Sequence, residues 1–264
     1  MLTKFFHDPI QLAAAQAAVA GSMAVAVVFV AKLGNIHMER EVIVALLRSL
    51  VQVVAVGSVL LLVFRSGLLI GAVILVVMMV LAALTASRRA REIPGVFRAS
   101  LYGIAAGAGT TIILMTWAGV IDTKLTALIP VGSMIIANGM NTTSLALERF
   151  RREVEAHSGI IETALALGAE PKTTVAPYTS AAVKASLIPR VDSLRSLGII
   201  WIPGVMTGML LAGNQPVHAA LYQFVIMAMI FSVSGLSSLV ATMQVSSRVF
   251  SEAGQLLMHG EGSG

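Results

Sequence analysis

An all-α, polytopic membrane bundle of about seven transmembrane helices, with one long cytoplasmic helical loop, is the fold that this sequence predicts. Hydrophobic residues make up 57% of the chain and charged residues only 12%, a balance far from that of soluble domains. Apolar windows long enough to cross a bilayer recur along nearly its whole length. Lys and Arg gather between particular windows, which is what orientation in a membrane demands. With 264 residues and so many spans there is no room for a separate soluble domain, so 1–258 reads as a single transmembrane domain and 259–264 as a disordered tail.

A spanning helix needs roughly 20 mainly apolar residues. The first window, about Ile10 to Leu33, has neither a basic start nor a convincing small-residue cleavage site after it, so it reads as a retained helix and not as a signal peptide. The second, Val42 to Phe64, carries Arg48 near its start and Gln52 one helical turn later. Leu68 to Ala86, Ala99 to Ile121 and Leu125 to Leu147 follow; the sixth window, Leu197 to Ala212, is short and holds Pro203, and the last runs Val217 to Met243.

Orientation follows from the basic residues. Arg88, Arg89, Arg91 and Arg98 fill the third loop, and Arg149, Arg151, Arg152, Lys172, Lys184, Arg190 and Arg195 fill the fifth, so both loops are expected in the cytoplasm. Lys32, Arg40 and Arg248 agree, while the opposite side carries Lys4, Arg65 and Lys124. An odd number of spans then places the N-terminus outside and the C-terminus in the cytoplasm.

The long loop, about 148–195, has a pattern of its own. Ile160, Ala164 and Gly168, with Ile161 and Leu165, recur at helical spacing and give an apolar face that can rest on the spans or on a partner. Gly168 supplies a C-terminal stop, and Pro171 a first position for the next helix, about Pro171 to Leu187. Helix, sharp turn, helix is the expected order. Residues alone leave two readings equally open, a docking knob for another protein and an interfacial helix that anchors the loop.

Within the spans, Met134, Asn138 and Asn141 share a face of the fifth, and Met206 and Met209 share one of the sixth. Amides at membrane depth face a cavity or another helix, and thioethers give a cation soft contacts. With 14 methionines in the chain, ordinary packing is the commoner reading. Glycine pairs at i, i+4 (Gly67 and Gly71, Gly103 and Gly107, Gly204 and Gly208) mark close helix contacts or a dimer seam. Pro203 makes 202–208 a candidate pore-lining bend. An ion pair between Arg48 and Asp192 would satisfy both charges; pairing of Asp192 with Arg195 is the simpler alternative. His7, His37, His157, His218 and His259 all fall outside the windows, so no metal-ligand set emerges and any metal site stays unknown.

Several functions rank lower. Cysteine is absent, removing disulfides and thiol nucleophiles. No catalytic constellation lies in a span, and the spans lack the buried carboxylates and histidines that couple secondary transporters to ions. No Gly-Lys pair occurs, hence no phosphate-binding P-loop and no ATPase in this chain.

Glu162-Thr163-Ala164 followed by Gly168 resembles the E-A-A-x-x-x-G loop of ABC-transporter permeases, as does LGAEP at Leu167 to Pro171. Across LRSLVQVVAVG (Leu47–Gly57), IPVGSMIIANGMNTTSLALERF (Ile129–Phe150), SLIPRVDSLRSLG (Ser186–Gly198) and IPGVMTGMLLAGNQPVHAALYQ (Ile202–Gln223), the chain resembles the FetB-type permease family. Members are implicated in bacterial iron export, with plant relatives linked to aluminium tolerance. The resemblance implies a permease subunit in the cytoplasmic (inner) membrane, exporting a metal cation such as iron. Glu162, Ala164, Gly168, Ala169, Glu170 and Pro171 would then couple it to a separate ATPase. It also implies two permeases with two ATPases, ATP and Mg on the ATPase, no cofactor on this chain, lipid around it and no nucleic acid. Another small solute such as a nucleotide sugar is the alternative cargo, and an ATP-independent secondary transporter the more distant alternative.

Overall fold

Asp8 accepts a hydrogen bond from the Ile10 amide and Pro9 takes the first helical position, so the first helix starts where a cap and a proline both favour it. The structure is a computed structural model that describes residues 8–64, 67–251 and 253–258. Lys4, His7, Arg65, His259 and the tail 259–264 lie outside the described residues. Two units are distinguished, 1–65 and 66–264.

The first unit is a helical hairpin of α1 (Pro9–Leu33) and α2 (Glu39–Phe64). Gly34 and Asn35 turn the chain between them, Asn35 in the left-handed region at φ 64, and Lys32 pairs with Glu39 at 3.5 Å across the turn. Val28 is buried, but most of the other described side chains of this hairpin are exposed and the rest half-buried. Apolar helices of this kind suit lipid or protein surroundings, not water. Arg48 and Gln52 lie exposed on one face of α2, along a shallow groove with Val44, Leu47 and Val51.

The second unit is a bundle. It contains α3 (Leu68–Ser87), α4 (Val96–Ile104), α5 (Thr110–Trp117), α6 (Leu125–Ala156), α7 (Ser158–Ala166), α8 (Pro171–Ser196), α9 (Gly204–Leu211) and α10 (Pro216–Ser246). A π-helical turn, Ala105–Gly109, joins α4 to α5. The hydroxyls of Thr110 and Thr111 donate to the Ala106 and Gly107 carbonyls and so satisfy acceptors around the wider turn. Helix α10 packs on α6, α4 and α8, and α6 also packs on α3 and α8.

Small residues set how closely these helices approach. A Cβ on Gly103 would sit 2.6 Å from the Ser237 carbonyl oxygen, and one on Gly107 would lie 2.8 Å from the Val233 oxygen, both on α10. That glycine pair therefore serves contact within the chain, whereas Gly204 and Gly208 face open space. Ser237 projects its hydroxyl towards Gly107 and Gly139, while Thr142 of α6 donates to Ser234 of α10 at 3.0 Å.

Among the described residues, five helical stretches are long and apolar enough to cross a membrane: Ile10–Leu33, Glu39–Val59, Leu68–Ala90, Val96–Trp117 and Pro216–Ser246. They coincide with five of the seven expected windows. The fifth window lies inside α6, a 32-residue helix that runs on past it, with Asn138, Asn141, Thr142 and Thr143 within the window. The sixth window departs from expectation. Helix α8 ends at Ser196, Gly198 turns the chain at φ 75, and Pro203 starts an eight-residue helix, α9. Eight residues rise about 12 Å against a hydrocarbon core of about 30 Å, so this segment is a broken element and not a single spanning helix.

Candidate coupling site

The polar end of the bundle is built from α6, α7, α8 and the chain around them. Helix α6 ends at His157, which also begins α7: its carbonyl accepts from the Ile160 and Ile161 amides at 3.1 and 3.0 Å. His157 Nδ1 lies 2.8 Å from the Glu153 carbonyl, which can only accept, so Nδ1 carries the hydrogen. Its ring stacks on Tyr178 of α8, centroids 4.8 Å apart. The pivot between α6 and α7 is thereby tied to α8.

Helix α7 stops by the two bonds of a Schellman motif. Ala169 N–H donates to the Ala164 carbonyl at 3.0 Å and Gly168 N–H to that of Leu165 at 2.9 Å, with Gly168 at φ 86. Glu170 is extended, and Pro171 opens α8. Glu162 and Glu170 are exposed, while Ala164, Ala169 and Pro171 are half-buried. The turn is as expected, and its apolar residues divide more sharply than the spacing suggested. Ile161 is fully buried and Leu165 packs on the same cluster, but Ile160 is 64% and Leu167 84% exposed. Ile160, Thr163, Ala164 and Leu167, at steps of three, one and three, make an outward stripe beside an open depression of about 560 Å³. Ile160 and Ala164 belong to the apolar face expected from the sequence; Leu167 is the residue of this stripe that sequence reasoning left off it. Its signal was the i, i+7 spacing from Ile160.

Behind the turn stands a belt of ion pairs. Glu148 accepts from Arg89 at 3.0 Å and Arg152 at 2.7 Å; Arg151 donates to Glu92 and Glu155; Arg149 pairs with Glu153 at 2.8 Å. The hydrogen bond from Arg89, with the charges of Arg152 and Arg89, holds the Glu148 carboxyl below its ordinary pKa despite an opposing effect of burial. Burial alone would lower Arg151, but its bond to Glu92 and the charges of Glu155 and Glu92 leave it raised. Burial lowers Arg190.

Pathway candidates are divided between elements. Met134 and Asn138 are half-buried and Asn141 is exposed on α6, with the Asn138 amide donating to the Met134 carbonyl at 2.8 Å. Met206 and Met209 are half-buried on α9. What ties α9 to α10 is a residue from neither set: buried Gln223, whose Oε1 accepts from the Met206 amide at 3.2 Å. Asp192 pairs locally with Arg195 at 3.8 Å. Among the described residues, no group of three or more His, Cys, Asp or Glu is placed to hold a metal.

Apolar helices long enough to span, together with a structured polar helix–turn–helix, define a polytopic α-helical membrane protein. The chain belongs to the family described as Uncharacterised protein family (UPF0014), whose model matches residues 14–250. It is similar to Protein ALUMINUM SENSITIVE 3 of Arabidopsis thaliana, 34% identical over 229 residues that cover 85% of this chain and 83% of that one. It is also similar to the UPF0014 membrane protein STAR2 of Oryza sativa subsp. japonica, at 32% over 254 residues, 96% and 87% of the two chains. The probable iron export permease protein FetB of Escherichia coli (strain K12) is 29% identical over 246 residues, 91% of this chain and 93% of that protein, which bears out the FetB-type resemblance. No solved structure matches.

Proposed function

We propose that this chain is the permease subunit of an ABC-type exporter in the cytoplasmic membrane, moving a metal cation outward on ATP hydrolysed by a separate subunit. The observation that carries the reading is the Schellman-terminated turn of E-T-A-x-x-x-G sequence, with Ile160 and Leu167 exposed on its outer face. Exposed large apolar side chains beside an open depression suit insertion into a protein groove. Glu162 and Glu170 give the turn an acidic edge for a basic groove.

Arginines at this end favour a cytoplasmic position, and Arg248 bonds to Gly95 in the arginine-rich loop, in keeping with a C-terminus on that side; an N-terminus outside then requires the broken sixth element to cross as a whole. Two copies of this chain would meet two ATPases, since such motors work as a pair. The name of FetB makes iron the first cargo to test. With soft and neutral donors on offer at Met134, Asn138, Met206 and Met209, passage would rely on transient weak contacts.

The test is to purify the chain with its ATPase in nanodiscs and compare Leu167→Asp and Gly168→Trp with wild type. Leu167→Asp buries a charge in the contact, and Gly168→Trp forces a side chain into a left-handed position. Each should weaken association by about tenfold or more, that is by at least about 1.4 kcal/mol, and remove substrate-stimulated hydrolysis. Wild-type association and stimulation in both variants would leave this turn as an interfacial anchor. For the cargo, loading vesicles with Fe(II) should stimulate hydrolysis where Na⁺ does not.

A further inference from the structure

The chain that leaves the last span returns to the coupling turn. Arg248 Nη1 donates to the Gly95 carbonyl at 3.2 Å, and a Cβ on Gly95, which has φ 68, would collide with that guanidinium. The loop before α4 is thus shaped around Arg248. Beyond it the backbone doubles back: Leu257 N–H donates to the Val249 carbonyl and Ser251 N–H to that of Gln255, both at 2.8 Å, with Phe250 paired antiparallel to Leu256. Val249, Leu256 and Met258 are 0%, 4% and 5% exposed, in one apolar cluster with Ile161 of α7, Val175 of α8 and Phe150 of α6. Gly254, at φ 76, lies beside the first residue of α8: a Cβ there would make ordinary contact with Pro171 Cγ at 3.7 Å.

Ile161 is the one buried side chain of α7. A nine-residue helix cannot hold its place by propensity, so its orientation depends on the cluster that receives Ile161. We infer that Leu256 and Gly254 are positioning residues for coupling: the segment after the last span is a strut that sets the angle at which Ile160 and Leu167 face the ATPase. This deepens the docking reading and rests on it. The strut acts through α7 and α8, and it makes the coupling element a three-part structure in which the third part comes from the far end of the sequence.

The experiment has two readouts on the full chain in nanodiscs. Amide exchange is measured on the chain alone, and stimulated hydrolysis with the ATPase bound, for Leu256→Ala, Gly254→Val and the conservative Leu256→Met. Leu256→Ala should accelerate exchange across 159–169 by about tenfold, leave amides of α3 and α10 at their wild-type rates, and cut stimulation at least threefold. Gly254→Val leaves the apolar cluster intact but strains the turn, because a β-branched residue resists the left-handed φ of 76 there, and should act in the same direction. Leu256→Met should restore both readouts. Wild-type exchange in Leu256→Ala and Gly254→Val overturns the inference, and so does faster exchange with undiminished stimulation. Normal stimulation in Leu256→Ala beside a silent Leu167→Asp removes only the strut; normal stimulation in Leu167→Asp removes the docking site, and the strut's role with it.

Discussion

Glu148 shows how a single side chain at the polar end answers to pH. Its two oxygens accept from Arg89 and Arg152, and its pKa in the folded chain is depressed, first by the Arg89 hydrogen bond. A depressed carboxylate stabilises the fold fully above its ordinary pKa, and that contribution is lost as pH falls through the lower folded value. Both guanidiniums are more than half exposed, so the contribution at neutral pH is on the order of 1 kcal/mol or less. Glu148→Gln should therefore lower the melting temperature slightly at pH 7 and shrink the difference from wild type in the acid range below pH 4.5, as thermal scans across pH will show. At this scale the sequence was informative where a residue type has one mechanical use. Gly168 stops α7 in a left-handed conformation because glycine does so without a Cβ penalty, and Pro171 opens α8 because its missing N–H costs nothing there. Ile160 and Ile161 were not separable in the same way: both are apolar neighbours, and only packing decides that one is fully buried and the other exposed.

Elements were legible in proportion to their length. Five apolar windows became helices long and apolar enough to span, because about 20 apolar residues leave few alternatives. The sixth misled because a hydropathy window averages over Gly198 and Pro203, the two residues that break the backbone, and so reports greasiness where continuity was needed. Residues 249–251 and 253–258 carried no signal at all: three buried side chains on short paired stretches have no helical period to detect. The glycine pairs can be tested against one another. Gly103→Leu places a side chain against the α10 backbone, which cannot retract as a flexible side chain could, and should destabilise by about 1–3 kcal/mol. Gly208→Leu, facing open space, should leave the melting temperature of the monomeric chain in detergent within a degree or two of wild type. Equal losses at the two positions would mean that the α4–α10 contact is not the tight one.

For the molecule as a whole, the proposed topology has a direct measurement, because the chain contains no cysteine to confuse it. A cysteine in place of exposed Arg91 should react with a membrane-permeant maleimide in intact cells and be silent to an impermeant one; labelling by the impermeant reagent would invert the orientation. Fold class, the helix–turn–helix at Gly168 and the family were readable because each leaves a long or chemically singular trace, while the pathway stayed obscure because Met and Asn serve packing and permeation with the same atoms. One element joins the two ends of the problem. Helix α6 runs unbroken from near Pro130 to the His157 pivot, a rod of about 40 Å. Tilted by about 5° at the pivot, such a rod displaces its far end by about 3.5 Å, enough to open or close a contact between neighbouring helices. Mechanical advantage of this kind needs no chain of side-chain rearrangements along the helix: under the proposed coupling, a small stroke at the His157 end would become a larger displacement at the far end by leverage alone.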